Sequence, residues 1–340
     1  MSGQTPLAAR VFTRLAEGGF QSGADLAAQL GVSRNAVWKA VGVLRGIGVA
    51  VQAVPNRGYR LAVPVAALDA QRLRAQLPGE VRTRIRRLEA EWSLGSTNET
   101  LLARTDLTAG ACDVLLAEYQ TAGRGRRGRA WLAPPGGAIC LSLGWCFAQT
   151  PRDLPALGLV VGVCALQALM RELPVQAQSR PGLKWPNDLV MGARKLGGIL
   201  VELRAEGAGP AYVVIGVGVN AVLSAGLREQ VAATGTEPVD LRELGIEPLR
   251  RAAVVAGLIE SIVAGLVRFE AEGLKPFSEE WRRSDVLRGR PVRLQLAAES
   301  VRGVARGIDI DGALMVETAQ GLRHFASGEV TVRPEDVRTA

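Results

Sequence analysis

The sequence predicts an α+β protein of three domains, on the basis of three observations. Residues 1–66 contain amphipathic helices separated by glycines and followed by a short hairpin. Residues 81–286 mix apolar strands with long apolar helices, as in a mixed-sheet α/β domain. Residues 287–340 form a series of short strands at regular spacing, which predicts a small barrel of SH3-like type. Residues 67–80 are expected to be a linker that contains a short helix.

Composition limits the possible classes of protein. The net charge is +8, so an anionic partner is expected. The four cysteines have no C-x-x-C spacing and the single histidine stands apart from them, which argues against a zinc site, a protein cage for any metal and a disulfide framework. We see no signal peptide, and the apolar run 156–170 is too short to span a bilayer. A cytoplasmic protein without membrane contact is expected.

The first domain carries the pattern of a winged helix-turn-helix. Leu7–Leu15 has a one-sided apolar face, Ser22 and Asp25 form a capping box for a second helix, and Ser33 caps a third. A hairpin follows, with its turn at Pro55–Gly58. Up to Val65 there are seven basic and two acidic residues, which favours phosphate contacts.

The candidate DNA-binding residues lie at the start of the third helix and at the tip of the hairpin. They are polar, basic or aromatic side chains on the face opposite the apolar one: Ser33, Arg34, Asn35, Trp38, Lys39 and Arg57. A small helical protein-interaction domain is the alternative interpretation.

The most informative stretch is Glu118–Trp131, in which glycines and arginines alternate directly after the apolar run Val114–Ala117. That run, bounded by Asp113 and Glu118, predicts a buried strand that delivers a basic loop to its end. The loop also matches G-x-G-x-x-G, but strand-like Ile139–Trp145 follows where a dinucleotide site needs a helix. Glycine mobility and guanidinium groups suit closure over an anionic ligand, and a solvated basic turn or a nucleic-acid patch is the alternative.

Two further motifs stand on either side of this loop. Ser96-Thr-Asn98 precedes a helix, with Ser96 and Glu99 as a predicted capping box, and could be a cap and nothing more. Lys184-Trp-Pro-Asn-Asp188 leads into a hairpin whose turn is at Gly192-Ala193 and whose second strand begins at Lys195. Taken alone, Lys195 would be a surface residue.

The Tyr-Gln-x-Ala-Gly-Arg-Gly-Arg-Arg-Gly-Arg stretch, the Lys-Trp-Pro-Asn-Asp motif and the Arg-Lys-Leu-Gly-Gly-Ile-Leu-Val-Glu motif resemble those of biotin protein ligases. The resemblance extends from the winged helix to the last strands, where Arg290-Pro-Val, Arg306-Gly-Ile-Asp and Gly328-Glu-Val are similar to the C-terminal domain of the family. This resemblance implies a class II synthetase-like catalytic domain. The chain resembles in particular the bifunctional members of the family, which are also repressors of the biotin operon.

The resemblance implies roles for particular residues. Biotin would be bound by Ser96, Thr97, Asn98, Gln120, Arg124, Gly125, Arg126 and Lys195. Lys195, Arg124, Arg126 and Asp188 would be catalytic, and Arg129 and Asn220 would bind the adenylate. Asp188 could help to hold Mg²⁺ with ATP or could orient an incoming lysine amine, and a single carboxylate does not decide between these roles.

The implied activity is a two-step ligation. Biotin and MgATP give biotinyl-5′-AMP, which then transfers biotin to a lysine of the biotin carboxyl carrier protein of acetyl-CoA carboxylase. In the family the adenylate is also the corepressor, and the adenylate-bound homodimer binds biotin operator DNA. One departure appears at residues 221–244, which fold over adenine in the family but contain no aromatic residue here.

Three alternative interpretations of the motifs fit the sequence less well. A lipoate ligase or octanoyltransferase would share the fold, but the Ser-Thr-Asn and arginine motifs favour the ureido ligand. A biotin sensor without catalysis would be expected to lack Lys195 or the arginine loop, and both are present. A function in nucleic-acid binding alone would not explain the motif from Lys184 to Glu202.

Overall fold

A computed structural model describes residues 5–106, 108–177, 180–205, 210–233, 235–296, 300–326 and 331–334. In these ranges the backbone forms a two-stranded, a seven-stranded and a five-stranded sheet, one in each predicted domain. The Gly328-Glu-Val motif lies outside the described residues. The predicted α+β class with an N-terminal helix-turn-helix, a mixed central sheet and an antiparallel C-terminal sheet is confirmed.

The N-terminal unit consists of three helices and a hairpin. Their bounds are α1 Leu7–Ala16, α2 Gly23–Leu30, α3 Arg34–Gly46, β1 Val51–Val54 and β2 Gly58–Leu61. Ser22 Oγ accepts the Asp25 N–H at 3.0 Å and Ser33 Oγ accepts the Ala36 N–H at 3.2 Å, so both predicted caps are present. Gly31 ends α2 in the left-handed conformation, at φ 66°, where glycine is favoured.

The central sheet is mixed and has the strand order β3-β4-β5-β9-β8-β7-β6. Its strands are β3 Ile85–Leu94, β4 Cys112–Gln120, β5 Ala138–Phe147, β6 Gly182–Lys184, β7 Asp188–Met191, β8 Arg194–Ala205 and β9 Ala211–Asn220. Only the β3–β4 pair is parallel among the pairs described in this sheet. The glycine loop therefore leaves the end of β4 and returns antiparallel as β5.

Seven helices accompany this sheet in the described ranges. They are α4 Ala70–Gln76, α5 Gly79–Arg84, α6 Thr97–Leu102, α7 Leu157–Glu172, α8 Ala225–Ala232, α9 Arg251–Glu272 and α10 Ser278–Ser284. One sheet face carries alternate large apolar side chains such as Leu141, Leu143 and Val217, and α7 and α9 pack on it in the main core. The other face carries the small residues that form the candidate site.

Two of these helical segments pass a length-and-composition test for a membrane span, which corrects the prediction that no apolar run was long enough. They are Leu154–Glu172, with 19 residues, and Pro248–Glu272, with 25 residues. The prediction counted only residues 156–170 of the first and overlooked the second. In the structure 67% and 61% of their apolar windows are buried, because α7 and α9 pack on each other and on the sheet.

Two other local predictions need correction. Strand β4 continues through Asp113 and Glu118, which were expected to bound it, because each buried carboxylate has an arginine partner. Pro78-Gly79 begins α5 and does not only end the preceding helix. Leu73 of α4 and Val81 of α5 both lie in the main core, so the short helix expected within residues 67–80 packs against the central domain.

The C-terminal strands form an antiparallel sheet with the order β13-β12-β11-β10-β14. Their bounds are β10 Pro291–Gln295, β11 Ser300–Ile308, β12 Leu314–Thr318, β13 Gly321–Phe325 and β14 Thr331–Pro334. The Trp185 indole N–H donates to the carbonyl of Gly312, in the turn before β12, at 3.1 Å. The C-terminal sheet is thereby fixed to the Lys184–Asp188 motif.

Candidate functional site

The candidate site, called the trough below, is the face of β5, β9 and β8 opposite the face on which α7 and α9 pack. Small residues face each other across β5 and β9, in the pairs Ser142–Gly216 and Cys140–Gly218. A Cβ on Gly216 would lie 2.4 Å from Asn98 Oδ1, and one on Gly218 would lie 2.6 Å from the Trp131 ring. Both glycines are therefore required for close approach of side chains that line the trough.

At one end of the trough a buried hydrogen-bond network joins three of the predicted biotin-binding residues. Gln120 Oε1 accepts the Thr97 N–H at 2.8 Å, and the Ser142 hydroxyl lies 2.6 Å from both Thr97 Oγ1 and Asn98 Oδ1. The Asn98 amide donates to Glu202 Oε2 at 2.8 Å. Every member of this network is held by another, which fixes the polar atoms in a preorganised arrangement.

Ser96 occupies the N-cap position of α6 but makes no side-chain capping bond, so the predicted capping box is wrong. The first helical N–H, that of Thr97, is satisfied by Gln120 instead. Glu99 points outward and lies 3.5 Å from Arg124. Ser96 is nevertheless buried with Thr97 and Asn98, which places the three predicted residues together at the helix start.

Lys195 and Asp188 form an ion pair in the middle of the trough. Lys195 Nζ lies 2.6 Å from Asp188 Oδ1, with about a quarter of each side chain exposed, at 27% and 21%. A Cβ on Gly198, which pairs with Gly218, would lie 3.3 Å from Lys195 Nζ. The lysine therefore lies over the glycine-rich strands, two residues along β9 from the glycine that contacts Asn98, and is partly open to a ligand.

The glycine loop folds back on itself as a tight hairpin. Gly125 N donates to Arg129 O at 2.7 Å, Trp131 N donates to Gly123 O at 2.8 Å, and Arg127 adopts φ 60° at the tip. A single 3₁₀ turn, Arg126–Gly128, occupies the loop, so the dinucleotide interpretation is excluded. Arg124 and Arg129 are exposed at its surface.

Arg126 is the arginine that turns inward from this loop. Its Nη1 donates to Asn187 Oδ1 at 3.2 Å, and Asn187 in turn donates to Ile199 O at 2.7 Å. Burial lowers the pKa of Arg126, neighbouring Arg127 acts in the same direction, and the charge of Asp188 opposes them. A desolvated guanidinium near Asp188, the partner of Lys195, gains from an anionic ligand, so the arrangement favours a phosphate or carboxylate.

Asn220 lies at the other end of the trough, where its amide holds backbone. It is buried and donates to Lys195 O at 3.2 Å and to Val239 O at 3.0 Å. The segment 221–244, which contains α8, is fixed further by Asp240, whose Oδ2 accepts Leu223 N at 2.9 Å and pairs with Arg228 at 3.0 Å. Asn220 thus positions this segment beside Lys195.

The predicted DNA-binding residues are all exposed on the N-terminal unit. Ser33, Arg34, Asn35, Lys39 and Arg57 are exposed, and Trp38 is exposed by 63%, which is high for an indole. Arg57 and Arg60 lie over the Phe20 ring, at 4.2 and 4.6 Å, and this fixes two cations of the hairpin beside the helices. The opposite face of α3 is the core of the unit.

Four site residues were not singled out by sequence reasoning, namely Ser142, Glu202, Trp131 and Asn187. Ser142 lies in an otherwise apolar strand, and a buried polar residue there was the available signal. Glu202 and Asn187 belong to recognised motifs without a role assigned to them. The glycines at positions 216 and 218 permit close approach to β9, but nothing in the sequence says that Asn98 and Trp131 fill the space.

Comparisons with known proteins agree with this arrangement. Residues 94–220 match the Biotin/lipoate A/B protein ligase family, residues 10–60 match an HTH domain, and residues 288–333 match the Biotin protein ligase C terminal domain. The chain is 40% identical to the bifunctional ligase/repressor BirA of Salmonella typhimurium over 94% of this chain and 95% of that protein. It is 38% identical to BirA of Escherichia coli over 95% and 96% of the two chains.

Among solved structures, the chain is similar to a biotin protein ligase from Aquifex aeolicus in complex with biotin and ATP. The TM-score is 0.58 and the identity is 25%, over 74% of this chain and 99% of the other.

Proposed function

The chain belongs to the biotin protein ligase family, and we propose that it activates biotin with ATP, transfers it to a lysine of a carrier protein, and represses biotin genes. The observation that carries the ligase proposal is the order of groups along one trough. The amide and hydroxyl network lies at Gly216, Lys195 lies beside Gly198, the partner of Gly218, and the backbone-holding asparagine is Asn220, so the groups follow every second residue of β9.

This order matches the order of groups in a biotinyl adenylate. Two residues along a strand span about 7 Å, so the network at Ser142–Gly216 and the asparagine at Ala138–Asn220 are about 13 Å apart. A cyclic urea with one carbonyl and two N–H groups suits the Thr97, Asn98 and Ser142 end. The carboxylate then reaches Lys195 in the middle, and the nucleotide lies toward Asn220.

The chemistry needs cations where two anions meet. In the first step a biotin carboxylate oxygen attacks the α-phosphorus of ATP, and pyrophosphate leaves. In the second step a lysine ε-amine attacks the acyl carbonyl, loses a proton, and AMP leaves. Lys195 and Arg126 offset the repulsion between carboxylate and phosphate and stabilise charge on the reacting oxygens.

Magnesium would enter with ATP. The described residues contain no cluster of three or more metal-ligating side chains. Mg²⁺ is commonly held by one or two carboxylates together with substrate phosphates, so Asp188 is the residue that would hold it. The ion supplies neutralisation of phosphate charge when bound. Asp188 also keeps the ammonium of Lys195 in place through their 2.6 Å contact.

The arginine loop is proposed to retain the reactive adenylate. For Arg126→Gly we expect adenylate release to be faster by about tenfold or more, because the inward guanidinium and its bond to Asn187 are lost. Free adenylate should then acylate lysines of bystander proteins. The measurement is the dissociation rate of labelled adenylate, with Arg57→Ala, at an exposed arginine of the N-terminal hairpin, as the control that leaves the inward contact intact. Equal retention by wild type and Arg126→Gly would contradict this role.

Mass spectrometry of a biotin carboxyl carrier domain tests the ligase directly. After incubation with the protein, biotin and MgATP, one lysine should gain one biotinyl group. Lipoate in place of biotin distinguishes the related lipoate chemistry, and we expect no gain with it because the buried amide network matches the ureido ring. No biotinyl gain at any ATP concentration would overturn the proposal. We expect this reaction in the cytoplasm.

The repressor function rests on the exposed surface of α3 and the hairpin. A dimer of these units would present two α3 helices to successive major grooves of a two-fold site. We propose that the adenylate-bound homodimer is the form that binds operator DNA.

Charge removal at this surface should separate the two activities. We expect Lys39→Ala and Arg57→Ala each to weaken DNA binding and to reduce the salt dependence of log K by about one unit, since each removes a phosphate contact. Biotin transfer should be unchanged, because both side chains are exposed on the N-terminal unit. The measurement is fluorescence anisotropy with promoter DNA at several salt concentrations. Unchanged affinity and slope in both variants would argue against this face.

A further inference from the structure

Glu118 and Arg251 form an ion pair in the interior, 133 residues apart in the chain. Arg251 is 1% exposed and Glu118 is 6% exposed, and Arg251 Nη1 lies 2.8 and 3.0 Å from the two carboxylate oxygens. The desolvation free energy of two buried charges offsets much of the free energy gained from their attraction. A buried ion pair is therefore weak evidence that the pair stabilises the fold. Its contacts indicate a different purpose.

The pair holds four backbone groups from two segments. From the connection after β2 (residues 62–69), Leu68 N donates to Glu118 at 2.8 Å and Ala66 O accepts from Arg251 at 3.2 Å. From the PPGG turn (residues 134–137) and the residue after it, Gly136 N donates to Glu118 at 3.3 Å and Ala138 O accepts from Arg251 at 2.8 Å. The pair therefore fastens the connection to the PPGG turn.

The PPGG turn also contacts the adenylate end of the trough. Gly137 O accepts the N–H groups of Ala221 and Val222 at 2.9 and 3.0 Å, at the start of the segment that Asn220 holds against Lys195. A shift of the turn would move this segment. The segment is bonded to Lys195 at its far end as well, where Lys195 N donates to Glu237 O at 2.8 Å and Val239 N donates to Lys195 O at 2.9 Å.

The N-terminal unit packs on the same turn from the other side. Gly136 adopts φ 74°, and a Cβ there would lie 2.9 Å from the Val65 side chain and 3.3 Å from the Phe12 ring. Phe12 also contacts the Trp92 ring, with centroids 5.3 Å apart. The DNA-binding unit, the connection and the adenylate end thus meet at one turn that the ion pair secures.

We propose that Glu118 and Arg251 are positioning residues for ATP binding. Through the PPGG turn they make the geometry of the adenylate end of the site depend on how the N-terminal unit packs against the central domain. This inference rests on the proposed ligase function. It concerns the ATP end because the pair contacts Ala138, whereas the amide network lies at Ser142, about 13 Å along the strand.

Arg251→Lys is the first test, because it keeps the charge beside Glu118. An ammonium is compact and cannot replace a guanidinium fork that contacts a carboxylate and two carbonyls together. We expect the KM for ATP to rise about tenfold while the KM for biotin stays within twofold. We also expect the Leu68 and Gly136 amides to lose hydrogen-exchange protection.

The double variant Glu118→Gln with Arg251→Met provides a second test. It is needed if the lysine in Arg251→Lys retains the hydrogen bonds of the arginine, or if that single variant does not fold. Removing both charges avoids leaving one of them buried alone. A folded double variant should show the same selective rise in the KM for ATP. Trp92→Ala removes the contact with Phe12 of the N-terminal unit and leaves the ion pair intact. It should also raise the KM for ATP.

Asp113→Asn is the matched control. Asp113 lies on the same strand at its opposite end, its side chain is 3% exposed, and it pairs with Arg86 at 2.7 Å and Arg104 at 3.0 Å. We expect a lower Tm without any change in the ratio of the two KM values.

The outcomes separate the two proposals. A wild-type protein that does not transfer biotin overturns the ligase function. Active wild type with an unchanged KM for ATP in both pair variants overturns only the present inference. Two further results would also overturn this inference, because each would indicate general loosening of the fold. One is an equal rise in the KM values for ATP and biotin in the pair variants, and the other is a selective rise in the KM for ATP in Asp113→Asn.

Discussion

Lys195→Met should reduce biotin transfer by about 10²- to 10³-fold, the usual cost of removing one group that stabilises transition-state charge. Methionine keeps the approximate length of the side chain but removes the cation that pairs with Asp188. Asp188 then remains without its partner at the place where carboxylate and phosphate meet. The measurement is single-turnover formation of the adenylate at saturating biotin and ATP, which isolates the first step.

The control for Lys195→Met is Lys39→Met, the same change on the exposed face of α3. It should leave adenylate formation unchanged and weaken only DNA binding. A Lys195→Met protein that forms adenylate at the wild-type rate would show that the lysine is structural, in which case the ion pair with Asp188 serves only to hold β7 against β8.

Local features of the fold could be predicted because their causes lie within a few residues. The caps at Ser22 and Ser33 each depend on a backbone N–H three residues later, and the hairpin at Gly192 depends on a turn that needs positive φ. The failed cap at Ser96 shows the limit of this reasoning. The first N–H of α6, that of Thr97, donates to the side chain of Gln120, 23 residues away in the chain. A nonlocal hydrogen-bond partner therefore replaces the predicted local one.

The geometry of the site could be predicted only in part, because it depends on strand register. The resemblance supplied the identities of Asn98, Lys195 and Asn220, but not that Asn98 lies over Gly216 or that Asn220 holds the backbone of Lys195. Ser142 became a site residue only because β5 pairs with β9 in a register that places it opposite Gly216. No periodicity within either strand contains that information.

The long apolar helices illustrate the same difference between composition and context. Their composition permits a membrane span, yet in the fold α7 and α9 cover one face of the central sheet. That covering is what leaves the opposite face, with its glycines, as the place for a ligand. The position of the trough thus follows from the unequal side chains on the two faces of β5 and β9.

Gly216→Ala should produce the largest selective loss of biotin use. The added Cβ would lie 2.4 Å from Asn98 Oδ1, and the backbone of a central strand cannot move away, so Asn98 must leave its bonds to Ser142 and Glu202. A buried amide without its partners costs about 1–3 kcal/mol, which corresponds to roughly a tenfold to hundredfold loss. We expect kcat/KM for biotin to fall by about 10²-fold.

The KM for ATP should change little in Gly216→Ala, because Gly216 and Asn220 are four residues apart along β9. Gly226→Ala in α8 is the matched control, since an added Cβ there meets no atom within 4 Å, and it should be neutral. If Gly216→Ala raised the KM for ATP as much as that for biotin, the trough would not be divided into a biotin end and a nucleotide end. A selective biotin defect would support the order of groups along β5 and β9, because a single methyl group would then have separated the two substrates.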